Sequence, residues 1–260
     1  MTARTTTPVR PLRPAIARPL LPAAARPLIW VLTAWCAVIV AGLAALFARH
    51  TGLDWLDRSV DPAIQSVYRA HQGLLSWLAV PGERIPVATL IVIIAVTCLV
   101  TGRANGAVLA VVGILAASTL AERVLKPLVG RTARGFLSYP SGHGTVMFAL
   151  AAVLAVLMLN PPRRVLTPAL RLILPAAAVA LACVISVIVI GVGVHYFTDT
   201  IAGAALGTGT VAATALALDL PGPRRWLAAA DGPLRQLRRR RSHRVPASAR
   251  PLSDDEADDG

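Results

Sequence analysis

Six long apolar stretches divide the chain, and their length limits what it can fold into. They cover residues 28–48, 85–102, 106–121, 143–160, 172–194 and 200–219. A helix needs roughly 20 residues to cross a ~30 Å hydrocarbon core, and helices satisfy their own backbone hydrogen bonds in lipid. With 55% hydrophobic and only 15% charged residues, the composition also favours a membrane protein. We therefore predict an all-α polytopic membrane protein with six transmembrane helices in a bundle.

The connection between the first two stretches, residues 49–84, predicts one further helix. The apolar residues that recur there at helical spacing are Leu56, Val60, Ile64 and Val67. This spacing is typical of an amphipathic helix at a membrane surface, where Trp55 and Trp77 would join an aromatic belt. Asp61 is a candidate helix cap, and we assign no chemistry to the connection.

Both ends of the chain differ in composition from the part between them. Residues 1–27 contain five arginines, six prolines and no acidic residue, and residues 220–260 include a second basic segment. We predict disordered cytoplasmic tails at 1–27 and 220–260, with one six-span domain at 28–219. The net charge of +13 lies mostly in the tails without interleaved aromatic residues, which argues against nucleic acid as a partner. The three cysteines lie in apolar stretches and indicate neither a metal site nor a disulfide.

Basic residues also predict the orientation of the bundle. With six spans, both tails, the loop at Arg103 and the loop before Arg171 lie on one face, which the positive-inside rule assigns to the cytoplasm. Segments 49–84, 122–142 and 195–199 then lie on the extracytoplasmic face. We expect a multi-pass cell-membrane protein with both termini cytoplasmic, and its richness in alanine and arginine is typical of a bacterial protein. The sequence does not indicate an oligomeric state.

The segment 122–142 carries cations on a face that should be poor in them. Lys126, Arg131 and Arg134 lie in it against one acid, Glu122. One interpretation is contact with lipid headgroups or snorkelling of basic side chains. The other is a cluster that binds phosphate oxygens, for which guanidinium groups are well shaped.

Two histidine motifs favour the phosphate interpretation. In Pro140-Ser141-Gly142-His143, Ser141 is a natural N-cap and Gly142 allows close approach of an anion to the free amides of a helix start. The later motif places Asp199 four residues after His195, on one face of a continuing helix, where a carboxylate would fix the imidazole tautomer. Alternatively Asp199 caps the last span, and the two roles are compatible.

These motifs, in this order and between apolar stretches, resemble the type 2 phosphatidic acid phosphatase superfamily, which is related to the vanadium haloperoxidases. The resemblance covers roughly residues 28–219. It implies that His195 accepts the phosphoryl group, that Asp199 supports it and that His143 protonates the leaving oxygen, with no metal or other cofactor. The residues it implies for binding the substrate phosphate are Lys126, Arg131, Arg134, Ser141 and Gly142.

The sequence departs from the family pattern in two motifs. The first motif is normally Lys, six residues, then Arg-Pro; here that arginine position is Ala133, so either Arg131 or Arg134 takes its role. The third motif normally begins with Ser-Arg; here Ile188 and Val189 occupy those positions, which removes one phosphate-binding arginine.

The function that follows is hydrolysis of a lipid phosphate. The resemblance implies a membrane-embedded lipid phosphate or diphosphate phosphatase that works through a phosphohistidine at the outer membrane face. Its partners would be the bilayer and a membrane lipid phosphate, with polyprenyl diphosphate, phosphatidic acid and phosphatidylglycerophosphate as candidates. Two alternatives stay open: a headgroup phosphotransferase of the same family, and a non-catalytic lipid-phosphate binder or transporter.

Overall fold

Helices form almost all of the structure, a computed structural model that describes residues 19–160 and 167–224. The long helices are α1 Arg26–Phe47, α2 Trp55–Ala70, α3 Gln72–Ala79, α4 Arg84–Val100, α5 Ala104–Val129, α6 Gly142–Leu159, α7 Pro168–Val192 and α8 Phe197–Leu218. Between α5 and α6, two short antiparallel strands form a hairpin, β1 Thr132–Ala133 and β2 Phe136–Leu137. Two segments of α5, Leu109–Gly113 and Leu120–Leu125, are π-helical.

Several of these helices are long and apolar enough to cross a membrane. Five meet the requirement: Ala23–Phe47, α5, α6, α7 and α8. The pair Gln72–Gly82 and α4 meets it together, with a bend of 40° between its two parts. The predicted all-α membrane bundle is therefore confirmed, with five or six crossings. A helix, α2, also forms where the amphipathic pattern indicated one; its place at the membrane surface stays a prediction.

Helices α6 and α8 pack against each other at the centre of the bundle. A methyl group on Gly203 would lie 2.6 Å from the Ser141 carbonyl oxygen, and one on Gly207 would collide with the Thr145 carbonyl oxygen. The two glycines therefore let the backbones of α6 and α8 approach closely, as small residues do between membrane helices. This close packing holds the start of α6 beside the start of α8, where the two histidine motifs lie.

Helix α5 extends further than the apolar stretch 106–121 that predicted it. It continues through Glu122 and Lys126 and ends at Gly130, whose φ of 65° is left-handed and typical of a helix C-terminus. Lys126 therefore lies on the last turn of a helix rather than in a loop. Its ammonium nitrogen lies 2.8 Å from a Glu122 carboxylate oxygen.

The residues just before α1 are part of the folded structure. The backbone amides of Leu20 and Leu21 donate to the Asp219 carboxylate at 2.8 and 2.9 Å, and both leucine side chains are fully buried. Asn160 Nδ2 donates to the Pro19 carbonyl oxygen at 2.9 Å. The folded part thus overlaps the predicted tail at residues 19–27, while 1–18, 161–166 and 225–260 lie outside the described residues.

Candidate functional site

The Ser141 turn joins the starts of the two central helices. Ser141 is the N-cap of α6, and its Oγ accepts a hydrogen bond from the Gly144 amide at 3.2 Å, which confirms the predicted cap. Its own amide donates to the Asp199 carbonyl oxygen at 3.0 Å. The turn that precedes α6 is therefore fixed against the first turn of α8.

A cation and the start of α6 face the same small space. A methyl group on Gly142 would lie 3.9 Å from Lys126 Nζ and would collide with Glu122 Oε1. The first amides of a helix have no partner within it and, with the helix dipole, favour an anion. Lys126 and the α6 N-terminus together favour an anion, and the Glu122 carboxylate, which pairs with Lys126, lies directly against Gly142 in this space.

His195 lies in the turn before α8, one residue ahead of the N-cap Tyr196, and not on the helix as the spacing had suggested. Its side chain is buried, and Nδ1 donates to the Ser138 carbonyl oxygen at 2.9 Å. A carbonyl can only accept, so the proton resides on Nδ1 and Nε2 keeps its lone pair. The Ser138 backbone carbonyl therefore fixes the tautomer of His195, a role that the sequence had assigned to Asp199.

The pKa of His195 is lowered from 6.5 to about 4, chiefly by burial. The charges of Lys126 and His143 contribute to this lowering, and the hydrogen bond to Ser138 opposes it. The charges of Lys126 and of His143, which is exposed at the start of α6, thus both favour the neutral form of the His195 imidazole.

The neutral imidazole predicts how stability depends on pH. An unfolded chain binds a proton at His195 near pH 6.5, whereas the folded protein binds it near pH 4. Stability from the neutral ring is therefore complete above pH 6.5 and is lost as pH falls from 6.5 to about 4. We expect Tm to fall more steeply over this range in the wild type than in His195→Gln, which does not titrate. Parallel Tm profiles would contradict the low pKa.

Asp199 caps the helix that follows His195. Its Oδ2 accepts the Tyr196 amide at 3.0 Å in a capping box, and its Oδ1 accepts from Arg131 at 2.7 Å. The capping interpretation is therefore confirmed. His195 Nδ1 lies 4.0 Å from Asp199 Oδ2, beyond hydrogen-bond distance, so the expected hydrogen bond between this carboxylate and the imidazole is not formed.

Arg131 lies inside the protein, with no exposed side-chain surface. Its Nη1 donates to Thr198 Oγ1 and to Asp199, both at 2.7 Å, and its Nη2 pairs with Asp57. The guanidinium lies between the rings of Phe47 and Tyr196, 4.1 and 4.4 Å from their centroids. Both terminal nitrogens are thus bonded to internal oxygens, which differs from the phosphate-binding role expected from the sequence.

Arg134 lies at the tip of the hairpin and is exposed. Arg134 and Gly135 have φ of 49° and 82°, as in the tight two-residue turns that join antiparallel strands. A methyl group on Gly193 would lie 2.7 Å from Arg134 Nη2, so the guanidinium rests on the turn that carries His195. Ala133, at the usual position of the first-motif arginine, is buried, and so are Ile188 and Val189 at the third-motif positions on α7. Since Arg131 is buried as well, Arg134 is the arginine of the first-motif segment that faces outward.

Two acids of α2, for which the sequence predicted no role in the site, also reach the start of α8. Asp57 and Asp61 are fully buried, and their Oδ1 atoms accept the Thr198 and Phe197 amides at 3.0 and 3.2 Å. Asp61 thus caps a helix as predicted, although a different one from its own. The sequence signal that could have indicated this role is their spacing, because two acids four residues apart lie on one side of a helix, here beside its apolar face.

Within residues 19–160 and 167–224, no three His, Cys, Asp or Glu side chains are grouped so that they could hold a metal ion.

Comparison with known proteins relates this arrangement to one family. Residues 132–220, which include both histidine motifs, match the model of the PAP2 superfamily. The fold is similar to the crystal structure of the first transmembrane PAP2-type phosphatidylglycerolphosphate phosphatase from Bacillus subtilis, with a TM-score of 0.53. That match has 18% sequence identity and covers 72% of this chain and 93% of the other, so it shows the fold alone. No curated protein matches the chain.

Proposed function

We propose that this chain, whose segment 132–220 matches the PAP2 superfamily, is a membrane lipid phosphatase with His195 as the phosphoryl acceptor. The observation that carries the proposal is the state of His195, a neutral imidazole held by the Ser138 carbonyl beside Lys126 and the start of α6. A nucleophile must keep its lone pair at neutral pH, and a low pKa provides this.

The reaction has two steps at one phosphorus atom. In the first, His195 Nε2 attacks in line, the N–P bond forms, and the bond from phosphorus to the lipid oxygen breaks as His143 gives that oxygen a proton. In the second, His143 takes a proton from water, the new O–P bond forms and the N–P bond breaks. Inorganic phosphate leaves and both histidines return to their starting states.

The phosphate oxygens are held by groups at the edge of this space. Lys126 Nζ and the amides that follow Ser141 provide the positive side of the site, and the Ser141 hydroxyl, which accepts from Gly144, keeps a proton to donate. Arg134, resting on Gly193, supplies the outward-facing guanidinium. We assign it the phosphate contact that Val189 cannot make, and we assign Arg131 an internal role.

The position of the site supports a lipid substrate at the outer face. His195 lies at the start of α8, and the contact between Asp219 and residues 20–21 lies at the other end, 22 residues and ~33 Å away. His195 and residues 20–21 therefore lie at opposite ends of α8. If the basic tails are cytoplasmic, the site is extracytoplasmic, at the level of the lipid headgroups.

The proposal is tested by phosphate release from the detergent-solubilised full chain in EDTA. Phosphatidic acid, phosphatidylglycerophosphate and a polyprenyl diphosphate form the panel, and we expect release from at least one. The intermediate should appear as an acid-labile, alkali-stable phosphate on the peptide that contains His195. Release that EDTA stops would contradict the mechanism, and transfer of phosphate to an added alcohol in place of water would indicate the phosphotransferase.

Arg134→Gln should weaken phosphate binding without unfolding the protein. Its side chain is exposed, and loss of one charged hydrogen bond should lower kcat/KM roughly 10-fold. The matched control is Arg69→Gln, the same change at an exposed arginine of α2. Equal losses in both variants would show an effect of net charge and would remove Arg134 from the site.

A further inference from the structure

The start of α8 is capped by carboxylates from another helix. Asp57 accepts the Thr198 amide on Oδ1 at 3.0 Å and the Thr198 hydroxyl on Oδ2 at 3.1 Å, and Asp61 accepts the Phe197 amide at 3.2 Å. A helix leaves its first four amides without partners, and negative charge stabilises that end. Helix α2 therefore supplies the cap that α8 needs and fixes the angle at which α8 begins.

Arg131 connects the same carboxylate to the residues next to His195. Its guanidinium bridges Asp57 on one side and Asp199 on the other. Asp199 in turn accepts the amide of Tyr196, the residue that follows His195. A continuous series of hydrogen bonds thus runs from α2 through Arg131 and Asp199 to the backbone that carries the imidazole.

We propose that Asp57 is a positioning residue for His195 and acts through Arg131 and Thr198; this rests on the proposed function of His195. Without the Asp57 charge, Arg131 would keep a single carboxylate partner, and the Thr198 hydroxyl would lose an acceptor. The Asp199 rotamer and the Tyr196 amide would then be less constrained. In-line attack depends on this alignment, since misplacement by about 1 Å can cost on the order of 100-fold in rate.

A purely structural role for Asp57 makes a different prediction. It would reduce the number of folded sites while each remaining site worked at the wild-type rate. A positioning role reduces the rate at each site and leaves phosphate affinity unchanged, because the bonds of Asp57 lead to His195 and not to Lys126 or Arg134. Counting the sites therefore separates the two roles.

The test is Asp57→Asn in the full chain, purified as a monodisperse detergent complex. Calorimetric titration with inorganic phosphate gives the number of sites and Kd, and phosphate release per site gives kcat. We expect Kd within twofold of the wild type and kcat about 10-fold lower. Asp54→Asn, the same change one turn earlier in a partly exposed position, should leave both unchanged. Wild-type kcat per site in Asp57→Asn would overturn the proposal.

Two further measurements keep the test decisive. If Asp57→Asn is not monodisperse, Thr198→Val removes the hydroxyl that Asp57 accepts while keeping the side-chain shape; a wild-type kcat there would also overturn the proposal. In protein with 15N-labelled histidine, the Nδ1 proton of His195 should exchange faster in Asp57→Asn than in Asp54→Asn. This readout requires no turnover, so it remains valid if the wild type hydrolyses no lipid. Equal exchange would overturn the positioning role alone.

Discussion

His195→Ala should release no measurable phosphate from any lipid that the wild type hydrolyses, a loss on the order of 10⁴-fold or more. The variant lacks the only group that, in the proposed mechanism, bonds to phosphorus, and the remaining cations bind the substrate without providing an acceptor. Phosphate binding should persist, because Lys126 and the α6 N-terminus are unchanged. Phosphate release and calorimetric phosphate binding, measured on the same preparation, check both statements.

The control for this variant is His71→Ala, at an exposed histidine between α2 and α3. It should retain wild-type turnover. If His195→Ala retained more than a small fraction of wild-type release, the acceptor would have to be another group. If it lost phosphate binding as well, the loss of activity would reflect a disrupted fold.

Gly207→Ala should destabilise the bundle more than other single methyl additions. The new methyl group would collide with the Thr145 carbonyl oxygen and lie 2.8 Å from the Ala149 amide nitrogen. These are backbone atoms of α6 and cannot turn aside as a side chain can, so the two helices must separate. We expect a loss of about 3 kcal/mol and a decrease in Tm on the order of 10 °C, measured by thermal unfolding in detergent.

Gly42→Ala is the matched control for this packing prediction. A methyl group on Gly42 of α1 meets nothing within 4 Å, and alanine is favoured over glycine inside a helix by roughly 0.5–1 kcal/mol. Its Tm should therefore stay unchanged or rise. A similar decrease in both variants would mean that the approach of α8 to α6 does not determine stability.

Local rules were sufficient for part of this structure. The apolar stretches located the spanning helices, and the short motif at Ser141 identified a cap that depends only on neighbouring residues. The end of α5 was misplaced because charged residues at Glu122 and Lys126 suggested a loop. Charged residues do not end a helix; the residue that ends α5, Gly130, comes after both of them.

The partners of Arg131 could not be obtained in this way. Its spacing from Lys126 indicated a phosphate ligand, but its charge is neutralised by Asp57, 74 residues away, and by Asp199, 68 residues away. The spacing of Arg131 from Lys126 cannot reveal which side chains of distant helices will contact its guanidinium. The same limit left the choice between Arg131 and Arg134 open, because the contact of Arg134 with Gly193 depends on the turn of a short hairpin.

The contact between residues 20–21 and Asp219 also bears on whether the number of membrane crossings is odd or even. The chain enters the first span and leaves the last at the same side of the bundle, because the Leu20 and Leu21 amides are bonded to a carboxylate just past α8. A chain that starts and finishes on one side must cross an even number of times. We therefore infer that the bent pair Gln72–Gly82 and Arg84–Val100, whose two parts together are long and apolar enough, makes the sixth crossing.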